Sequence, residues 1–264
     1  MQGLEKIQVA IILQLEKLFR IKCYRKLSSN SNTKKPTISV IIPTLNEAAN
    51  IGRLVRYLLK YRTSALEELI VVDGGSQDET VLEATNAGAT LLECTHCGRA
   101  YQMNQGAAIA KGTILYFVHS DTVPPPTYLN DILAAVQLGH NIGCFRALYE
   151  HSKYPLLKIN SYCTRFPVLW CRGGDQSLFI TQLLFKQLDG YDEEYQLMEE
   201  YALIAKAQEK EPFKIISKNV QVSIRKYEQR GYFKVQLANL VAFNLFRFGV
   251  SQDKLVSIYK RMLK

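Results

Sequence analysis

Several patterns that would assign this chain to a class at once are missing. The 264 residues contain no internal repeat and no low-complexity segment. No Gly-x-Gly-x-x-Gly follows the first predicted strand, which argues against a dinucleotide-binding Rossmann domain. No signal peptide precedes the six scattered cysteines, so we expect free thiols in a reducing cytosol. Cys94 and Cys97 form one C-x-x-C without a second ligand pair, which is weak support for zinc or a redox pair.

Long apolar runs are also scarce at the start of the chain. Residues 1–27 are predicted to form a basic amphipathic helix, and its longest apolar run, residues 9–13, is far shorter than the roughly 20 residues that cross a bilayer. Such a helix either lies on a membrane surface or packs on the protein with a solvated basic face. Residues 28–36 follow as a polar linker.

The positive charge is concentrated at the two ends. Residues 1–35 contain eight Lys or Arg and two acids, residues 225–264 contain nine and two, and the part between contains 16 and 20. Basic flanks around a mildly acidic body favour an anionic membrane surface over nucleic acid. We therefore expect a cytoplasmic protein, with the inner face of the cell membrane as the surface that these flanks would contact.

Strand and helix patterns alternate from residue 38 onward. Strands are predicted at 38–42, 68–73, 90–93 and 114–119, and helices at 48–61, 78–87, 100–110, 235–248 and 252–263. This alternation implies βαβ units and a mainly parallel sheet, which is the α/β class.

Polar residues follow three of these predicted strands. The segments read TISVIIPTLNE at 37–47, LIVVDGGSQDET at 69–80 and ILYFVHSDT at 114–122. Pro43 is expected to end the first strand, and Asn46 is a possible helix cap. Asp73 either accepts hydrogen bonds from a base edge or holds a turn. Ligands of open α/β sheets bind at such strand ends, so the three segments predict a nucleotide-sugar site.

The third segment is the candidate catalytic centre. Asp121, at the end of a central strand, is suited to hold Mg²⁺ or Mn²⁺ against two phosphates. His119 is a second ligand, a ribose contact or only a strand-end histidine.

With these motifs in this order, the chain resembles the family 2 inverting glycosyltransferases of the GT-A fold, over residues 38–262. It is similar to a small bacterial subgroup, the arsenosugar-biosynthesis-type glycosyltransferases, which carry the pattern GRAxQMNxG. Here that segment reads GRAYQMNQG at 98–106. The resemblance implies a GT-A domain at 37–264, with a nucleotide-binding half at 37–122, an acceptor half at 123–232 and C-terminal helices at 233–264.

The resemblance also implies roles for the positions that match. Nucleotide binding falls on Pro43, Thr44, Asn46, Glu47, Asp73, Arg99, Gln102, Asn104, His119 and Ser120, and metal binding falls on Asp121. Sugar or acceptor contacts fall on Gly174, Asp175, Gln176, Arg225 and Tyr227, within RGGDQSLFI at 172–180 and SIRKYEQRG at 223–231. The general base falls on Glu200 within LMEEYAL at 197–203. Because Glu stands where the family usually has Asp, Glu199 is the alternative base.

The implied reaction is metal-assisted transfer of a sugar from a nucleotide donor, expected to be a UDP-sugar, to an acceptor hydroxyl. Two departures bear on it: His119 replaces the first acid of D-x-D, and Gly74 replaces a common second Asp after Asp73. The acceptor is either a carotenoid-like or other lipid, or a small metabolite such as an arsenosugar precursor. The alternative function is a catalytically silent nucleotide-binding partner at a membrane surface.

Overall fold

Eight strands form one mixed sheet in the computed structural model, which describes residues 35–94, 96, 98–149, 154–172 and 176–264. The strands are β1 (Ile38–Thr44), β2 (Leu66–Asp73), β3 (Thr90–Glu93), β4 (Ile114–Phe117), β5 (Thr122–Val123), β6 (Ile142–Leu148), β7 (Leu178–Thr181) and β8 (Lys214–Val222). Their order across the sheet is β3-β2-β1-β4-β7-β6-β8-β5. The pairs β1/β2, β1/β4, β2/β3 and β6/β8 are parallel, whereas β7 runs antiparallel to both β4 and β6.

Ten helices are described along the same part of the chain. They are α1 (Ala48–Lys60), α2 (Thr80–Asn86), α3 (Arg99–Ile109), α4 (Tyr128–Gln137), α5 (Leu157–Cys163), α6 (Gln182–Gln187), α7 (Glu199–Gln208), α8 (Arg225–Arg230), α9 (Tyr232–Arg247) and α10 (Gln252–Leu263). The predicted helix at 1–27 lies outside the described residues. Within them, no helix is both long enough and apolar enough to traverse a bilayer.

Both faces of the first half of the sheet are covered. Val40 and Ile42 point to one face and Ile41 to the other, as the two-residue period of a strand requires, and all three are fully buried. Helix α1 covers the first face through Ile51, Leu54, Val55 and Leu58, spaced as one helical stripe. Helix α3 covers the second face through Met103 and Ala107. This two-sided burial explains the nearly continuous apolar runs of β1 and β2.

The prediction that Pro43 ends the first strand was wrong by two residues. Strand β1 continues to Thr44, with Pro43 opposite Val72 of β2. Its pairing with β4 stops at Ile41, so at Pro43 the strand has a neighbour on one side only. A missing backbone N–H costs little at such an edge-like position.

Candidate active site

The loops after β1 and β2 are joined by side-chain hydrogen bonds. Asn46 accepts from the Gln77 backbone N–H at 2.8 Å, and the Asn46 N–H donates to Ser76 Oγ at 2.8 Å. The Ala48 N–H at the start of α1 donates to Asp78. Asn46 adopts a left-handed conformation, φ 54°, which asparagine tolerates better than most residues. The two predicted strand-end motifs therefore form one continuous rim.

Asp73 holds the turn that follows β2. Its carboxylate accepts hydrogen bonds from the backbone N–H groups of Gly75 and Ser76, at 2.9 and 2.8 Å, and from the Ser76 hydroxyl. The side chain is buried at the strand tip. A carboxylate has about four acceptor positions, so Asp73 can still accept a hydrogen bond from the edge of a nucleobase.

The GRAYQMNQG segment fastens α3 to its neighbours. The Gln102 amide donates to the carbonyls of Thr44 and Val72, both at 2.8 Å, and so fills the gap between the ends of β1 and β2. A Cβ at Gly74 would lie 3.0 Å from that amide, which favours glycine over the Asp that is common there. Met103 is fully buried in the core.

Asn104 makes a second, more distant attachment. Its amide donates to the Tyr191 carbonyl at 2.8 Å and accepts from the Tyr191 N–H at 2.9 Å, and it also donates to Glu193. Gly190 adopts φ 68°, and a Cβ there would lie 2.8 Å from Asn104 Oδ1. Gln102 and Asn104, predicted as nucleotide ligands, therefore hold backbone in this structure.

Two ion pairs link the start of α7 to the segment after β4 and to the start of α3. His119 Nε2 lies 2.9 Å from Glu200 Oε1, and Arg99 Nη1 lies 3.4 Å from Glu199 Oε1. Both glutamates are about 5% exposed, whereas the Arg99 side chain is 52% exposed. Met198, left-handed at φ 68°, precedes the helix and places both carboxylates at its N-terminus, where the helix dipole favours negative charge.

The environment shifts the pKa values of these groups in different directions. Burial alone would raise the pKa of Glu200, but the charge of His119, its hydrogen bond and the charge of Arg99 lower it below its usual value. Burial alone would lower the pKa of His119, but the charge of Glu200 raises it. Burial and the neighbouring Glu200 raise the pKa of Glu199, although Arg99 opposes them. Each partner of the His119 and Glu200 pair therefore favours the charged form of the other.

Asp121 stands apart from these pairs. It is partly buried just after β4, and no described residue forms a hydrogen bond or ion pair with its carboxylate. Its backbone carbonyl accepts from the Ser223 N–H at 3.2 Å. Ser120 beside it is also partly buried. No group of three or more His, Cys, Asp or Glu within the described ranges is arranged to hold a metal. A hard cation here would thus take one carboxylate from the chain and its other oxygens from substrate and water.

Arg225 and Glu47 join the start of α8 to the residue that precedes α1. Arg225 Nη2 lies 2.7 Å from Glu47 Oε1, and this contact raises the pKa of the guanidinium. Tyr227, buried two residues later, stacks on Tyr232 with a ring distance of 6.0 Å. The structure therefore brings Arg225 to the predicted nucleotide side, while Tyr227 is both a packing residue and part of a cleft wall.

Sequence reasoning missed a buried arginine close to Gln176. Arg172 is 2% exposed, and it donates to the carbonyls of Thr164 and Phe166 at 2.6 and 2.7 Å and to Cys144 Sγ at 3.1 Å. Burial raises the pKa of the Cys144 thiol to about 11, although Arg172 opposes this shift. Only the buried backbone carbonyls explain an arginine here, and a sequence pattern does not show them. Gly174 and Asp175 lie outside the described residues.

Gln176 belongs to the same region. Its amide donates to the Cys171 carbonyl and accepts from the Cys144 thiol. Gln176 and Arg172 line a small cavity that reaches Glu200, and they also line a cleft of about 540 Å³. The small cavity beside the candidate base and the large cleft therefore share two lining residues.

Comparison with known proteins identifies the family of this chain. The model of glycosyl transferase family 2 matches residues 39–182, more than half of the chain, so the chain belongs to that family. Over 123 residues it is 29% identical to a glucosyl-3-phosphoglycerate synthase of Mycolicibacterium smegmatis, covering 43% of this chain and 41% of that protein. It is 38% identical over 107 residues to a PGL/p-HBAD biosynthesis glycosyltransferase of Mycobacterium bovis, covering 38% and 40%. The chain thus spans about two fifths of the length of these relatives.

Solved structures share the fold. The glucosyl-3-phosphoglycerate synthase of Mycobacterium tuberculosis superposes with a TM-score of 0.57 at 18% identity, covering 80% of each chain. Its complex with Mg²⁺ and uridine diphosphate gives 0.54 at 19% identity, covering 78% of this chain and 79% of that one. Residues 1–349 of TarS from S. aureus give 0.59 at 18% identity, covering 86% and 70%. The GT-A fold and the family 2 resemblance are confirmed, whereas the GRAxQMNxG subgroup stays a prediction.

Proposed function

We propose that this protein is an inverting glycosyltransferase that moves a sugar from a UDP-sugar to an acceptor hydroxyl, with Glu200 as general base. The observation that carries the proposal is the buried Glu200, hydrogen-bonded to His119 at 2.9 Å, beside a small cavity that shares Arg172 and Gln176 with a large cleft. Glu199 faces Arg99 instead and does not line that cavity. Geometry therefore favours Glu200 over Glu199 as general base. For a candidate base, geometry is weighed before pKa.

The donor would occupy the rim formed by the ends of β1, β2 and β4. Asp73 would contact the uracil base of the donor. Arg99, at the N-terminus of α3, would contact the diphosphate. Asp121 would hold Mg²⁺ or Mn²⁺, the ions bound with uridine diphosphate in the related synthase structures. Such an ion offsets the charge that builds on a diphosphate leaving group.

The chemistry at Glu200 follows from this placement. As the acceptor oxygen forms its bond to the anomeric carbon, the bond from that carbon to the diphosphate breaks on the opposite face. The acceptor proton passes to the Glu200 carboxylate, and UDP leaves with the electron pair. Against the effect of burial, the charge and hydrogen bond of His119 lower the pKa of Glu200, which favours the unprotonated form that a base requires.

Glu200→Gln tests the assignment. We expect release of UDP from UDP-sugars, with and without hydroxyl acceptors, to fall by about 10²- to 10⁴-fold, while calorimetric binding of UDP stays unchanged. Glu199→Gln is the matched control, and it should retain most of the turnover. Equal turnover in the Glu200 variant and the unmodified protein would remove Glu200 as base. Absence of turnover in the unmodified protein, with UDP bound, would favour the silent nucleotide-binding partner.

A further inference from the structure

The cleft of about 540 Å³ lies between α9 and the segment that includes α5. Its inner end is polar, with Arg172, Gln176 and Thr164. Its outer walls are apolar, with Trp170, Phe233, Leu237, Leu240 and Phe243. The polar end is the one shared with the cavity at Glu200, so a molecule in this cleft would place its polar part toward the candidate base.

The apolar walls continue onto the surface around the cleft. Trp170 is 62% exposed and Phe233 is 76% exposed, and Leu237 and Leu240 are also more than half exposed. On the α5 side, the exposed side chains are Ile159, Tyr162, Phe166 and Val168. Soluble proteins rarely expose so many large apolar side chains together unless they contact a membrane, a ligand or a partner.

The charge of this surface favours a membrane over the other two. The segments 154–172 and 229–252 contain no Asp or Glu and six Lys or Arg, of which all but the buried Arg172 are exposed. Arg165 lies against the Tyr162 ring, 5.1 Å from its centroid. Aromatic and aliphatic side chains interspersed with basic ones, without acids, are typical of surfaces that enter the headgroup region of anionic membranes.

We infer that the cleft is the acceptor site and that it takes a hydroxyl-bearing lipid from an anionic membrane on which Trp170, Phe233, Leu237 and Leu240 dock. The lipid hydroxyl would reach Glu200 past Arg172 and Gln176, and the hydrocarbon would lie along the apolar walls. This inference rests on the proposed transfer reaction for its chemistry, and on the cleft alone for its binding step.

Trp170 is the only tryptophan of the chain, so its fluorescence reports on the cleft rim without labelling. We would add the full-length protein to phosphatidylglycerol vesicles that contain a minor share of dioleoylglycerol, which presents one hydroxyl on two apolar chains. We expect Trp170 emission to shift to the blue. Brominated diacylglycerol should quench it more than the same share of brominated phosphatidylcholine, because the hydroxyl-bearing lipid enters the cleft.

Variants separate this surface from the rest of the protein. Phe233→Ser with Leu237→Ser should weaken vesicle binding by about tenfold or more, since two large apolar contacts are lost. Leu82→Ser with Leu183→Ser, which replaces two exposed leucines away from the cleft, is the matched control and should bind as before. UDP titration with Mn²⁺ should be the same for all variants.

Three results would overturn the inference. Protein that sediments with vesicles while Trp170 emission stays unchanged would be bound through another surface. Equal quenching by the two brominated lipids would mean that the apolar side chains around the cleft dock on the membrane without a hydroxyl-bearing lipid entering the cleft. Equal losses in the cleft and control variants would remove the specific surface. Failure of UDP binding with the Trp170 response intact would instead count against the donor site and leave the lipid cleft standing.

Discussion

The pair formed by His119 and Glu200 is the residue-scale feature on which most of the chemistry depends. The two residues are 81 positions apart and meet only because β4 ends where α7 begins. Both are buried, so neither can be charged alone at low cost. His119, which stands in place of the first acid of D-x-D, therefore binds the carboxylate of Glu200 in this structure.

The stability of this pair depends on pH in a defined window. The raised pKa of His119 contributes stability below its ordinary value of 6.5, and this is lost as the pH rises through the folded value. The lowered pKa of Glu200 contributes stability above its ordinary value of 4.5, and this is lost as the pH falls through the folded value. The pair therefore stabilises the fold most between pH 4.5 and 6.5.

His119→Asn should lower the free energy of unfolding by about 3 kcal/mol in that window, because it leaves a buried carboxylate without its cation. Thermal or urea unfolding across the pH range measures the difference from the unmodified protein, which should shrink toward higher pH. His96→Asn, at an exposed position, is the control. A difference independent of pH would contradict the ion pair.

The sequence predicted the residues of this site better than their contacts. Glu200, His119 and Asp121 could be picked out because each stands in a short motif after a strand or before a helix. The partners of Gln102 and Asn104 are backbone groups of Thr44, Val72 and Tyr191, and a sequence pattern does not show which carbonyls lie within reach.

Helix α3 is the element whose placement decides the donor side of the site. It carries Arg99 at its start and lies close against the sheet at Gly106, where a Cβ would be 2.6 Å from Ile41 Cγ2 and 2.9 Å from Val72 Cγ2. Since those side chains are buried in the core, they have little room to move.

Gly106→Ala should therefore destabilise the protein by about 1 to 3 kcal/mol through overpacking. The direction of the change in stability is informative, because helix propensity alone would make the alanine variant more stable by about 1 kcal/mol. Denaturant unfolding gives the magnitude, and Ala108→Gly on the exposed side of the same helix measures the propensity effect by itself. An increase in stability in the Gly106 variant would refute the close contact.

The elements themselves were largely predictable. The alternating strands and helices from β1 to β4 begin and end within a few residues of their predicted limits, since amphipathic and buried apolar patterns mark them clearly. The antiparallel β7 was not predictable, because a four-residue apolar strand carries no sign of its direction. Its insertion between β4 and β6 separates the first parallel half of the sheet from the second.

At the scale of the whole molecule, the site lies between two regions of different character. The predicted nucleotide side is a rim of loops and polar side chains, whereas the cleft has apolar walls and a polar inner end. Glu200 lines the small cavity that shares Arg172 and Gln176 with this cleft. The division into a nucleotide-binding half and an acceptor half stays a prediction, and the arrangement of these two regions supports it.

Uridine diphosphate should bind only with a divalent cation that offsets the diphosphate charge, and Asp121 would hold that cation, with its other oxygens from the diphosphate and water. At about 100 times its Kd, UDP with Mn²⁺ should raise the free energy of unfolding by about 2.7 kcal/mol. Calorimetric titration and thermal unfolding with Mn²⁺ or EDTA measure both effects. Asp121→Asn should abolish the UDP binding that Mn²⁺ supports, and uridine monophosphate is the control ligand. Equal binding in EDTA would exclude the metal from the donor site.

The contacts of the GRAYQMNQG segment also bear on how relatives of this protein are recognised. Gln102 and Asn104 bind backbone groups, Met103 is in the core and Gly106 packs closely on the sheet, whereas Arg99 is half-exposed and pairs with Glu199. A search pattern built on this segment would therefore collect chains that share a scaffold, whatever sugar they transfer. Patterns drawn from the cleft walls would sort those chains by acceptor.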